Sequence, residues 1–145
     1  MSNEEDMSNE EDRARHQVRE QRAIINRIAK HDPAGAKTLD QMEAEVFAWC
    51  VEKGWEPAPD RTFGEEMVML HSEISEAVEV YRVRGFTPHT DLETGKPEDV
   101  GSEFADILIR LLHDCAARGV DLMAEYERKM AYNRTRTHRH GGKLL

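Results

Sequence analysis

Two short carboxylate pairs are the residues in this chain best spaced to do chemistry. They are Glu73-Ile74-Ser75-Glu76 and Glu103-Phe104-Ala105-Asp106. Each pair lies in a stretch with helical apolar periodicity. On a helix, residues i and i+3 point to nearly the same side, roughly 4.5 Å apart along the axis. Two such helices packed side by side aim four carboxylates into one cleft. The four repel one another unless a cation sits between them. Mg²⁺ suits the position because it prefers hard oxygen ligands, and Mn²⁺ is a natural substitute. Spacing alone leaves a second reading open. Glu is a good helix former, and in a chain with 29 acidic residues such pairs also arise as solvated helix coating.

A second line of chemistry follows in sequence. Lys129, Asn133 and Arg136 have i, i+4, i+7 spacing and share a helix face. Arg offers a planar fork and Lys a point charge, so the row can hold phosphate oxygens. A solvated basic face near a helix C-terminus has the same pattern and is favoured by the helix dipole. Trp55, at a helix end, is the candidate for stacking on a base, whereas Trp49 sits on a core stripe and is expected to pack.

The elements that must position these groups read as helices throughout. Arg13 to about His31 carries a weak stripe of Val18, Ile24, Ile25 and Ile28, broken at Asp32-Pro33-Ala34-Gly35. Thr38 with Gln41 forms a capping box that opens a helix near Leu39, with Leu39, Met42, Val46, Trp49 and Cys50 on one side and an end near Gly54. Pro57, Pro59 and Asp60 make a linker. Thr62 with Glu65 opens the first acid helix, which runs to Arg84 with Met67, Leu70, Ile74, Ala77, Val78 and Tyr81 as its core stripe. Residues 85–95 read as an exposed loop. Pro97, Glu98 and Asp99 suit the first turn of the second acid helix. Phe104, Ile107, Leu108, Leu111, Leu112 and Cys115 form its core stripe, and Gly119 ends it. Asp121 caps a last helix running to about Thr135. No segment shows strand alternation.

At 145 residues the chain suits one modest core. It is 39% hydrophobic with a mean hydropathy of −0.74, and no apolar run approaches the roughly 20 residues that span a membrane. The N-terminus lacks the basic and apolar parts of a secretion signal. Cys50 and Cys115 fall on apolar faces and read as reduced, buried thiols, so a cytoplasmic location is expected. The net charge of −9 argues against general nucleic-acid binding. Residues 1–12 are a duplicated Met-Ser-Asn-Glu-Glu-Asp, with six acids and no base, and read as a disordered acidic tail. Residues 13–37 read as a helical extension, 38–137 as the main helical domain and 138–145 as a basic tail. There is no Glu-x-x-His pair of the di-iron bundles, no Gly-rich phosphate loop and no H-E-x-x-H zinc motif.

The run Leu70-His71-Ser72-Glu73-Ile74-Ser75-Glu76-Ala77, followed by Lys96-Pro97-Glu98-Asp99-Val100-Gly101-Ser102-Glu103-Phe104-Ala105-Asp106-Ile107-Leu108, resembles the E-x-x-E…E-x-x-D pattern of MazG-like nucleotide pyrophosphohydrolases. The likeness continues through Gly119-Val120-Asp121-Leu122, Lys129, Asn133 and Arg136 to His140-Gly141-Gly142-Lys143, and covers roughly residues 38–143. The resemblance implies an all-α bundle of about four to five helices, assembled from helix pairs into a homodimer or tetramer. It implies Mg²⁺ held by Glu73, Glu76, Glu103 and Asp106, and phosphate contacts from Lys129, Asn133 and Arg136. It implies hydrolysis of a nucleoside triphosphate to a monophosphate and pyrophosphate, as in nucleotide-pool clean-up. A phosphoribosyl-ATP pyrophosphohydrolase and a catalytically silent dimerisation or regulatory module are the alternatives. Neither a nucleic-acid nor a membrane partner is expected.

Overall fold

The computed structural model describes residues 13, 15–27, 35–56 and 61–137. The acidic tail, the Pro57–Asp60 linker and the basic tail of the sequence reading lie outside the described residues. The chain divides into two units, Met1–Ala36 and Lys37–Leu145. In the first, residues 15–27 are helical (α1), with Val18, Ile24 and Ile25 exposed. The second holds α2 (Leu39–Glu52), α3 (Phe63–Arg84), α4 (Val100–Arg118) and α5 (Leu122–Arg134). Among the described residues there is no β-strand beyond one isolated antiparallel bridge, Thr90 to Pro97. No helix among them is long and apolar enough to cross a membrane.

Local chemistry sets the helix ends. Thr38 accepts from the Gln41 amide while the Gln41 side chain takes the Thr38 N–H, and Thr62 and Glu65 repeat the arrangement at α3. Asp121 accepts from the Ala124 amide at 2.8 Å and opens α5. Gly119 adopts a left-handed conformation, φ 65°, that a side chain disfavours, and this stops α4. The start of α4 departs from expectation. Pro97, Glu98 and Asp99 precede the helix rather than forming its first turn. Asp99 is the N-cap: its carboxylate accepts from the Ser102 amide at 3.0 Å and Ser102 Oγ accepts from the Asp99 amide at 2.9 Å. The other Asp99 oxygen accepts from the His89 amide at 3.1 Å, so the cap also anchors the preceding loop. A methyl group at Gly101 would meet the Asp99 carboxylate at 2.9 Å, which explains a glycine in this first turn.

The second unit is organised around α4, which packs against both α2 and α3. Cross-helix pairs join Glu73 to Arg110 and Glu66 to Arg118, so α3 and α4 run antiparallel. Leu112 is the most deeply buried large side chain, with Cys50, Ala77, Val100 and Cys115 around the same core. Both cysteines are free and buried, and burial pushes both thiols up.

The expected core stripes are met in part. Ala77 on α3 and Leu112 and Cys115 on α4 are buried, and Met67, Leu70, Ile107 and Leu111 are half-buried. Ile74, Val78 and Tyr81 on α3, and Phe104 and Leu108 on α4, are exposed, while Glu66, Glu73, Glu103 and Asp114 are buried. Trp49 is also exposed rather than packed away. Cross-helix charge pairing accounts for part of the difference. Two of the buried acids of α3, Glu66 and Glu73, meet arginines of α4, so the shared surface of these helices is partly ionic.

Candidate metal centre

Glu73 arrives from α3, and Glu103 and Asp106 from consecutive turns of α4. Each offers one carboxylate oxygen, and these three atoms lie within 4.8 Å of one another. Glu73 is only 7% exposed and Glu103 6%. Burial is the first cause that pushes the Glu103 pKa up, and the charges of Glu76, Asp106 and Glu73 add to it. Asp106 is raised by burial and then by Glu73. Repulsion is therefore built into the metal-free cluster. The opposing cations are Lys96, which acts on both Glu103 and Asp106, and Arg110, which acts on Asp106.

The sequence pattern put four acids together, and the fold gathers three. Glu76 is exposed and outside the convergent group, although its charge is felt at Glu103. Glu73 is seven residues after Glu66 and four before Ala77, all buried, so these three mark the inward line of α3. Glu76 is displaced from that line toward solvent.

The donor set is all carboxylate oxygen, with neither His nor Cys, and it fits a hard divalent cation such as Mg²⁺ or Mn²⁺. The repulsion that Lys96 and Arg110 only partly offset supports the same fit, since a dication replaces several unfavourable pairs with favourable ones.

Beside the carboxylates lies a cavity of about 370 Å³. Trp49, Trp55, Met69 and Ile109 line it together with Glu73, Asp106 and Arg110. The two indoles meet edge to face, with centroids 4.7 Å apart. Trp55, the expected stacking residue, lines this cavity, and Trp49 joins it, contrary to its expected packing role. His113 also lines the cavity. Its Nε2 lies 2.9 Å from Glu56 Oε1, its Nδ1 lies 4.0 Å from Asp114 Oδ1, and its ring stacks on Phe47. Further along the same helix pair, Glu66 meets Arg118, whose guanidinium lies 4.9 Å from the centre of the Phe63 ring. Asp114 is raised by burial and then by its hydrogen bond and charge contact with Glu66.

None of Lys129, Asn133 and Arg136, the expected phosphate row, lines the cavity beside the carboxylates. α5 has no buried residue. Lys129 is exposed, with its ammonium 5.9 Å from the Tyr132 ring centre. Asn133 is half-buried, with a side-chain oxygen that has no hydrogen-bond partner among the described residues. Arg136 lies beyond the end of α5, because Thr135 is its C-cap.

Sequence periodicity missed Arg110, Lys96 and His113. Arg110 follows Asp106 by four residues and Glu103 by seven, so a shared face was readable in principle. Lys96 depends on a loop closing onto the start of α4, which no helix pattern encodes.

The raised carboxylates imply a pH dependence. A group whose folded pKa lies above its unfolded value contributes stability that is present at low pH and lost as pH rises through the folded pKa. The metal-free protein is therefore expected to lose thermal stability as pH rises from about 4.5 toward 7, above the ordinary carboxylate range, and Mg²⁺ is expected to restore part of the loss. Asp114 adds to the same fall without being relieved by the metal. The lowered pKa values of Glu65, Asp91 and Asp99 act with opposite sign, in a window below the ordinary range. Melting curves across this span, with EDTA and with Mg²⁺, check the expectation. Identical profiles in the two conditions contradict it.

No protein-family model matches the chain, and no curated protein or solved structure matches it.

Proposed function

We propose that this chain is a Mg²⁺-dependent pyrophosphohydrolase of the MazG-like kind, cleaving a nucleoside triphosphate to a monophosphate and pyrophosphate. One observation carries the reading: the carboxylates of Glu73, Glu103 and Asp106 converge beside a cavity that also presents a guanidinium and two indoles. A triphosphate needs a dication and cations, and a base needs a flat apolar surface.

Glu73, Glu103 and Asp106 would hold Mg²⁺, with Glu76 close enough to strengthen the field. Bound there, the metal supplies charge that offsets the triphosphate and the departing pyrophosphate. Arg110 and Lys96 add positive charge on the protein side. Trp55 stacks on the base and Trp49 braces it. Water attacks in line at the α-phosphorus, forming the new P–O bond as the bond from that phosphorus to the bridging oxygen breaks. The water's proton passes to a carboxylate of the cluster or to solvent, and the electron pair leaves with pyrophosphate. No covalent enzyme intermediate is required. The biology this serves best is clean-up of a cytoplasmic nucleotide pool.

The exposed apolar strips of α3 and α4 support a homo-oligomer as the working form, with the Lys129, Asn133 and Arg136 row completing a site in the assembly. They equally suit a catalytically silent dimerisation module, so the reaction itself must decide. A panel of canonical nucleoside triphosphates with Mg²⁺ in ¹⁸O-labelled water is expected to yield a labelled monophosphate and unlabelled pyrophosphate. EDTA should abolish the reaction, and Mg²⁺ or Mn²⁺ restore it. A diphosphate with orthophosphate identifies a phosphatase instead. Label only in pyrophosphate excludes attack at the α-phosphorus, and no product from any triphosphate favours the silent module.

A further inference from the structure

We infer that Arg110 is an internal counter-ion, holding Glu73 when no metal is bound and turning to the polyphosphate when one is. The inference rests on the pyrophosphohydrolase reading of the site. Arg110, Asp106 and Glu103 share one face of α4 through i, i+4, i+7 spacing. Arg110 Nε donates to Glu73 Oε1 at 2.6 Å, across the α3–α4 contact. The Glu73 side chain is buried, so the bond is charge-assisted and poorly screened.

The same Glu73 belongs to the convergent carboxylate group. Arg110 therefore holds a carboxylate of the candidate metal centre. A metal and the guanidinium compete for the same negative charge, because each weakens the pull of Glu73 on the other. A dication facing three carboxylates has the stronger claim. The contrast within the same helix pair is informative. Arg118 pairs with Glu66, which is not in the convergent group, and that ion pair competes with no metal.

Displaced from Glu73, Arg110 has somewhere to go. It is half-buried and already lines the cavity shared with Asp106 and Trp55. Besides Asp106, the ionisable groups around it in a small adjoining space are Arg61, Glu66, His113 and Asp114. Glu66 is already held by Arg118, and Arg61 adds positive charge on that side. A phosphate oxygen entering beside the metal is the partner its planar fork fits best. Metal and polyphosphate affinities then become coupled through one side chain, each raising the other.

The test uses the full chain as wild type, Arg110→Met and Arg110→Lys, with Mn²⁺ alone and then Mg²⁺–tripolyphosphate as probes. Loss of the competing cation is expected to tighten Mn²⁺ binding by Arg110→Met about tenfold, measured by the spin resonance of free Mn²⁺. The same variant is expected to bind Mg²⁺–tripolyphosphate about tenfold more weakly. Arg110→Lys keeps the charge and loses the fork. It is expected to stay within about threefold of wild type for Mn²⁺ yet remain weak for tripolyphosphate. Unchanged or weaker Mn²⁺ binding by Arg110→Met overturns the inference, because a purely structural arginine would loosen the site when removed. Arg110→Gln carries the same expectations if the Met variant does not fold. Wild-type protein that binds Mn²⁺ and cleaves a triphosphate, with no tightening in the variants, removes the role of Arg110 alone. Wild-type protein that binds no Mn²⁺ removes the inference together with the reading beneath it.

Discussion

Glu103→Gln is expected to cut turnover by about two orders of magnitude or more, the usual effect of removing a key electrostatic group from a site, while raising the melting temperature of the metal-free protein. The two effects have one cause. Glu103 is buried among like charges, and burial, Glu76, Asp106 and Glu73 all raise its pKa. A neutral isostere relieves that repulsion and also removes a metal ligand. Glu73→Gln should differ in a readable way. It also loses a metal ligand and turnover, but it leaves Arg110 without its carboxylate partner, so the metal-free variant should be less stable than wild type. Turnover with Mg²⁺ and melting curves in EDTA check both variants. Normal hydrolysis by either one rules out the metal assignment. A fall in melting temperature for Glu103→Gln marks that side chain as a packing element instead.

What could be read from the sequence was mostly local. Thr38 with Gln41, Thr62 with Glu65, Asp121 and Gly119 each mark a helix end through bonds spanning three or four residues, and each is in place. Asp99 shows the limit of that reading. Asp99 and Ser102 cap α4 after Pro97, and only the bond from the His89 amide reveals why the chain is tied there. Facing was harder to read than existence. Apolar periodicity finds an amphipathic helix but cannot say whether its stripe meets the same chain or another one. Ile74 and Val78 follow the stripe faithfully and are nevertheless exposed. Glu66 and Asp114 look like surface acids in sequence and are buried, because their environment comes from a helix more than thirty residues away. The carboxylate cluster was legible in part, as two acid pairs of which three members converge. The turn of α3 that sends Glu73 inward and Glu76 outward was not, since it depends on where α4 packs.

Val78→Asp is expected to convert a homo-oligomer to monomers at micromolar concentration, with the helical fold retained. Ile74, Val78 and Tyr81 follow i, i+4, i+7 spacing along one flank of α3 and are 45%, 48% and 52% exposed. Phe104 and Leu108 form a second strip on α4, 57% and 40% exposed. Fully burying a side chain of this kind contributes about 1.5–3 kcal/mol, and a two-fold interface counts every residue twice. Two aspartates brought into such an interface would be desolvated and would repel, weakening association by about a hundredfold or more. Within a single chain Val78 is half in water already, so the helical circular dichroism should hardly change. Light scattering across a concentration series gives the mass. The catalytic consequence separates two versions of the assembly. If a neighbour's α5 brings Lys129, Asn133 and Arg136 to the carboxylates, monomeric Val78→Asp loses most of its turnover yet keeps its Mn²⁺ affinity, because Glu73, Glu103 and Asp106 all come from one chain. If each chain is complete, turnover survives dissociation. A wild-type mass of one chain at micromolar concentration refutes the oligomer and leaves the apolar strips of α3 and α4 to another partner.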